Sequence, residues 1–542
     1  MNMAIARLAA FLLSIAMAVV TNPATAAGTA PHRWSISGNI GSCGSFSLPD
    51  AGIVNDFGSF GEATEKMLAA LKDWGCTSYS SPTIIGTFPQ ISVCADPNSI
   101  PNCATTFTVG AFCRAHVNYA VLPTGGCNAT NVADPSKGAG CDGCKRANPV
   151  SVGNLNKYLE QVDYQGTGTR ALRFVRYYNS LAPRGEEIGA HWTHTYQRRV
   201  VFETIAPGVA TAYRQDGQAV AFRSPDGQTF TLDPDVRHTL EQLRDAGGQI
   251  TGWRFYDAGT EAVDLFDAEG WFLSTTSREG LTTSLTYSDG TSDPATGGTH
   301  EGTTIPLPQG LPIRVTGPFG RSLTFGYDTA NHIVRMTDPD GKNTTYVYDA
   351  LSRLVSVTDP GNKTLTYHYG ESDLVSRPDD PQYKLLLTGI TDQNGNRHSQ
   401  YAYMGGDRRV SMSTRLAGGV EVYRHDYTYG HGFEQITETD PLGVVRTFSN
   451  IQPNGVGITQ TISGSVCPSC GPQFRSYDSN ANVASRTDWN GHRTNYTYDL
   501  ARNLEISRTD GLTSGGGATP ATRTITTEWH PTLRLVARVA EP

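Results

Sequence analysis

The sequence predicts a mostly β fold: antiparallel hairpin repeats of about 21 residues, coiled into a long sheet and preceded by a small Cys-rich module. Three observations carry this. Tyr327, Tyr348 and Tyr369 stand 21 residues apart, as do Asp338 and Asp359. Asp, Pro and Gly cluster between the tyrosines, where turns would fall. Thr and Tyr are frequent strand residues, and no long stretch after the first 25 residues places apolar side chains at helical spacing.

One repeat can be built from its residues. Ile333 to Thr337 reads as a strand, and Asp338-Pro339-Asp340-Gly341 as a turn, since Pro fixes φ and Gly permits φ > 0. Asn343 to Tyr348 returns, with Thr344, Tyr346 and Tyr348 expected on one face and Thr345 and Val347 on the other. Asp349 to Ser352 turns the chain again. A single hairpin is marginal in water, so the repeats must pair side by side, and strand twist should coil the sheet. Tyr477-Asp478 and Tyr498-Asp499 repeat the spacing, with Thr487-Asp488-Trp489-Asn490-Gly491 between them. Phe266-Asp267 and Tyr287-Ser288 form a degenerate pair at 21 residues. Looser copies run from Thr391-Asp392 to Tyr403 and over Thr439-Asp440-Pro441-Leu442-Gly443.

At 542 residues the chain exceeds what one core covers, so several domains or an elongated array are expected. The net charge of −8 lacks the basic footprint of a nucleic-acid binder, and Arg198-Arg199 reads as a solvated strand face. Residues 1–26 read as a signal peptide: Arg7 flanks an apolar run from Leu8 to Val20, too short for a bilayer, and Ala24-Thr25-Ala26 fits a cleavage site. No other segment could span a membrane as a helix, so a secreted or cell-surface protein is expected.

Residues 27–145 carry Cys43, Cys76, Cys94, Cys103, Cys113, Cys127, Cys141 and Cys144. In an exported chain these favour disulfides holding a thin core. One helix is expected there, from Glu62 to Trp74. Residues 146–235 read as a second β-rich segment. It includes a strand with Leu172, Phe174, Arg176 and Tyr178 on one face and Arg173, Val175 and Tyr177 on the other. Residues 236–542 hold the repeats.

Motifs that could carry chemistry are few. Cys141-Asp142-Gly143-Cys144 and Cys467-Pro468-Ser469-Cys470 could each be half of a zinc site or a redox dithiol. They lie over 300 residues apart with no His at ligand spacing, which favours structural disulfides or loop clips. His191 and His194 flank Trp192 at a spacing that sends two strand side chains to opposite faces, so packing or capping is expected. His425 and His431 flank Tyr427 and Tyr429, and the nearest carboxylate in sequence, Asp426, should face away from His425. Asp338-Pro339-Asp340-Gly341 starts like a calcium loop, but the pattern fails after Gly341. No catalytic, cofactor-binding or metal-ligating residue is singled out.

The repeat resembles the RHS/YD-repeat family of bacterial exported proteins. The resemblance rests on Arg353-Leu354, Thr358-Asp359-Pro360, Thr345-Tyr346 and Tyr348-Asp349 recurring at fixed spacing. Asn148-Pro149-Val150, Asp163-Tyr164, Leu172, Phe174, Arg176-Tyr177-Tyr178-Asn179-Ser180 and Trp192 look like the domain that precedes such repeats. The resemblance covers roughly residues 148 to 542. It implies a hollow β-shell, or part of one, that encloses a C-terminal toxin and delivers it in intercellular competition. The shell-closing D-P-x-G-L does not occur: Asp440-Pro441-Leu442-Gly443 lacks the following Leu. Arg534-Leu535-Val536 through Glu541-Pro542 reads like an unfinished repeat, so an unpaired edge strand and a longer parent protein are expected. The expected partners are a C-terminal cargo or a secretion component. The alternative is an adhesin whose tyrosine-rich ribbons bind cell-surface glycans.

Overall fold

A computed structural model of the chain describes strand backbones between residues 32 and 129, and residues 145–542 apart from 182–186, 204–208, 225–228, 405–407, 430–434, 452 and 454–456. The signal segment, the Glu62 to Trp74 helix and Cys141 to Cys144 lie outside the described residues. The chain divides into two compact units.

The first unit is Met1–Val132 with two short pieces, 203–209 and 224–227. It holds a five-stranded antiparallel sheet ordered Ser45–Leu48, His32–Asn39, Thr105–Cys113, Gln90–Cys94, Thr83–Thr87.

The second unit is dominated by one 24-stranded sheet. Its strands follow chain order from Thr239–Arg244 to Val536–Ala540, and each pairs antiparallel with its sequence neighbours. Among the described residues there is no α-helix, only short 3₁₀ turns such as Tyr383–Leu385 and Pro468–Cys470. The first and last strands do not pair with each other, so the sheet is open. It nevertheless bends back on itself: the backbone N–H of Arg534 donates to Glu261 Oε1 at 2.8 Å, and Asn503 Nδ2 donates to the Pro234 carbonyl at 2.8 Å. Twenty-one strands, Ala262–Phe266 through Arg523–Trp529, separate the Glu261 turn from the Arg534 turn. At ~4.8 Å per strand this is roughly 100 Å of sheet.

Two devices recur along the repeats. The first is the turn aspartate. Oδ1 of Asp338 accepts the N–H groups of Asp340 and Lys342, both at 2.9 Å, while its own N–H donates to the Lys342 carbonyl. Asp349, Asp359, Asp392, Asp440, Asp478 and Asp488 do the same for residues two and four further on. The aspartates of the T-D-P and Y-D motifs thus make one and the same turn, at opposite ends of the strands. The left-handed position is the third after the aspartate. Gly341 fills it in one repeat, but in the next Asn362 does (φ 60°), not the neighbouring Gly361.

The second device is the tyrosine. Tyr287, Tyr327, Tyr348, Tyr369 and Tyr498 each donate a hydroxyl hydrogen bond to the carbonyl 15 residues upstream, at 2.6–3.1 Å. Each also sits at a register shift in the ladder. The two facts are linked. Pairing between Ile333–Thr337 and Asn343–Tyr348 stops at Arg335–Thr345, so the Ile333 carbonyl on that side lies beyond the ladder and the Tyr348 hydroxyl satisfies it. The bulge modifies the expected alternation. Thr344 and Tyr346 are buried and Thr345 and Val347 exposed as period two requires, but Tyr348 follows the shift and is only half-buried.

Residues 158–194 form a three-stranded sheet, Tyr158–Gln165, Arg173–Asn179 and Trp192–His194. The strand expected to show two unlike faces is buried on both: Phe174, Arg176 and Tyr178 are sealed, and so is Val175. Val175 sits opposite Val162 in the ladder, and Tyr177 packs near Tyr158. This sheet and its flanking loops share one continuous apolar core with the 24-stranded sheet, running from Val150 to Cys470.

Candidate functional site: the lined face of the repeat sheet

The most elaborate side-chain constellation lies where residues 146–235 meet the repeats. Arg176, fully buried, makes a bidentate pair with Asp163 (Nε to Oδ2 2.6 Å, Nη2 to Oδ1 2.9 Å). Both partners reach into the sheet: Arg176 Nη1 donates to the Tyr367 hydroxyl at 3.1 Å, and Tyr346 donates to Asp163 Oδ2 at 2.9 Å. The guanidinium also stacks over Trp192, 5.0 Å from the ring centre. Trp192 Nε1 donates to the Tyr369 hydroxyl at 2.9 Å. Tyr178 accepts the Leu387 N–H at 2.8 Å. A buried charge pair is tolerated only where its remaining hydrogen-bonding capacity is filled, and here tyrosines from successive repeats fill it. Desolvation would discharge Arg176, but Asp163 opposes it and the guanidinium is held more firmly charged than usual.

Further contacts extend this seat along the sheet. Asn450 Nδ2 donates to the Val152 carbonyl (2.8 Å), the Val410 N–H to the Leu155 carbonyl (3.0 Å), and the Ile333 N–H to the Glu187 carbonyl (2.8 Å). Gly153 and Gly457 pack backbone to backbone, with no space for a Cβ on either. At the start of the sheet Asp264 binds Arg198 and Arg214. Burial pushes the Asp264 carboxyl up, but the two arginines outweigh it and hold it below the usual carboxylate range. Arg198-Arg199 is therefore no solvated strand face, contrary to the sequence expectation. Arg198 pairs with Asp264, 66 residues away, and Arg199 stacks over Trp271 at 4.0 Å; both partners are too remote in sequence to be read.

The residues singled out for chemistry have structural positions. Cys467 and Cys470 form a disulfide that clips the Pro468–Cys470 turn, whose Gly471 carbonyl accepts Trp489 Nε1 at 2.9 Å. His194 Nε2 lies 2.7 Å from Glu187 Oε2 and stacks on Phe174, whereas His191 packs edge-on against Tyr178. His425 Nδ1 lies 2.8 Å from Glu438 Oε1, which Arg146 also binds. Asp426 does face away, but the sequence missed Glu438, 13 residues on and one strand over. His431 lies outside the described residues. Asp338 and Asp340 belong to a turn, and Asp340 pairs with Arg321. Among the described residues, no group of three or more His, Cys, Asp or Glu is placed to hold a metal, and no helix is long and apolar enough to cross a membrane.

The fold and this seat define a class: an antiparallel hairpin-repeat protein with a separate β segment lining one face of its sheet. Residues 308–344 and 327–364 match the RHS repeat, so the chain carries RHS/YD repeats. Residues 147–229 match a domain of unknown function, DUF6531. No curated protein matches the chain. Similar solved structures include TcdB2-TccC3-TEV (9% identity, 71% of this chain and 23% of that one, TM-score 0.34). TcdB2-TccC3 without its hypervariable C-terminal region gives 10% identity, 71% and 22% coverage, and a TM-score of 0.34. The N-terminal domain of effector protein SpvB from Salmonella typhimurium strain LT2 gives 12%, 48% and 89%, with a TM-score of 0.17. The chain spans under a quarter of the length of the TcdB2-TccC3 chains.

Proposed function

We propose that this protein is an exported container. Residues 1–26 direct export, residues 27–145 form a disulfide-held module, residues 236–542 build a shell wall, and residues 146–235 line that wall. The contents are a polypeptide, in the family's manner a C-terminal toxin delivered to a competing cell. No side chain acts as a catalyst in this role.

The observation that carries the reading is the return of the sheet upon itself. Arg534 and Asn503 meet Glu261 and Pro234 after about 270 residues of continuous pairing, which is the behaviour of a wall that encloses space. A ribbon that presents its faces to glycans gains nothing from that return.

Limited proteolysis of the natural gene product tests this. A polypeptide following the repeats should survive protease while the sheet is folded and be cut once it is unfolded. Cleavage of that polypeptide at the rate of the isolated peptide, with the repeats intact, would overturn the container reading.

A further inference from the structure

Lys157 is an unusual lysine. It is fully buried and has no carboxylate partner among the described residues. Its Nζ rests against the backbone carbonyl of Asn148, with the carbonyls of Tyr158 at 3.1 Å and Pro149 at 3.4 Å, and it lies 4.2 Å from the centre of the Tyr401 ring. Asn148 is also buried, and its side-chain amide is asymmetrically held. Arg415 Nε donates to Oδ1 at 2.6 Å, while Nδ2 is buried with no partner among the described residues. An unsatisfied buried amide nitrogen is costly in a site otherwise so well provided with hydrogen bonds.

These features are the parts of an amide exchange. We propose that Lys157 and Asn148 join in an isopeptide bond, Nζ to Cγ, with release of ammonia. The amine lone pair of Lys157 attacks Cγ, and the charge that develops on Oδ1 is stabilised by the Arg415 guanidinium already bonded to it. The Cγ–Nδ2 bond then breaks. One proton passes from Nζ to Nδ2, which leaves as ammonia. No oxidant, reductant or further reactant is consumed. The groups the exchange needs are gathered here: an amine held at the backbone carbonyl of the target residue, an oxyanion donor on Oδ1, and an amide nitrogen without a partner among the described residues.

Two features of the surroundings favour this chemistry. Burial lowers the Lys157 pKa well below its usual value, which supplies the neutral amine that attack requires. Asn148 is followed by Pro149, which has no backbone N–H, so the common competing ring closure onto the next residue's nitrogen is barred. The bond would close a loop that lies directly on the repeat sheet, since Arg415 and Tyr401 both belong to repeat strands.

Mass spectrometry of the folded full chain, reduced and alkylated, decides the matter. The expected intact mass is lower by one ammonia than the mass calculated for the alkylated chain from its observed N-terminus. Trypsin should fail to cut after Lys157 and yield a peptide from Ala147 to Arg170, lighter by one ammonia and without fragment ions between residues 148 and 157. Lys157→Met should restore the full mass, and Arg415→Gln should slow the loss of ammonia after refolding, with circular dichroism confirming that both variants keep their sheet. An unmodified peptide ending at Lys157, obtained from folded chain, would overturn the proposal. Persistence of the ammonia loss in Lys157→Met would overturn it equally.

Discussion

The Trp192 indole donates to the Tyr369 hydroxyl, and that hydroxyl donates onward to the Leu354 carbonyl, so one tyrosine closes a repeat and anchors the lining segment at once. Tyr369→Phe removes both bonds while keeping the ring. It leaves a buried N–H and a buried carbonyl unpaired, at a cost of about 1–3 kcal/mol each. Tyr498→Phe, whose hydroxyl among the described residues bonds the Val483 carbonyl alone, should cost no more than half as much. Chemical denaturation of the two variants, followed by tryptophan fluorescence, checks the difference.

The Arg176–Asp163 pair gives a prediction of the opposite kind. Removing one partner, as in Arg176→Met, strands a buried carboxylate and should destabilise the seat by about 3–5 kcal/mol. The double variant Arg176→Met with Asp163→Leu should recover much of that loss, because no charge is left unpaired. A double-mutant cycle on the unfolding midpoints checks it, and additivity of the two single effects would refute it.

The turn aspartates predict how many kilocalories each repeat owes to its turn. Asp359→Ala removes an acceptor for two backbone N–H groups and should cost about 1 kcal/mol, much as the loss of a capping residue does. Asp359→Asn keeps the acceptor and should cost less. Thermal melts of both variants compare them.

Acid should loosen the sheet in a defined direction. Asp440 is pushed up by burial but held below the usual carboxylate range by Arg446 and the turn amides, and Asp264 behaves likewise between its two arginines. A lowered carboxylate contributes stability that is full above about pH 4, its unfolded value, and that fades as pH falls through the folded one. At the alkaline end the sign reverses: burial raises Tyr477 and Tyr498 to about 12, so stability should fall once pH exceeds about 10, where the unfolded chain starts to ionise. Unfolding midpoints from pH 2 to 11 should trace a plateau with losses at both ends.

The repeat was legible because its information is local. The 21-residue spacing and the Asp-Pro-Gly turns give the hairpins and their order. The tyrosine bond was not, since it depends on a register shift that periodicity smooths over, and in sequence Tyr348 looks like the continuation of Thr344 and Tyr346. The lining seat was invisible for another reason. Arg176 finds Tyr367 across 191 residues and Trp192 finds Tyr369 across 177, and no spacing rule connects such pairs. Even so, Asp163, Arg176, Tyr178 and Trp192, the residues that carried the family resemblance ahead of the repeats, are the ones that make the seat. The helix expected from Glu62 to Trp74 lies outside the described residues.

The short reach of the repeat tyrosines, 15 to 18 residues back, bears on how so large a sheet could be made. Each strand can be completed by the chain that immediately follows it, and loop closure over so short a span is entropically cheap. The lining segment is the exception with long reach, and it precedes the repeats. A chain emerging N-terminus first would present this segment as a seed on which hairpins are laid down one after another, so that folding keeps step with synthesis.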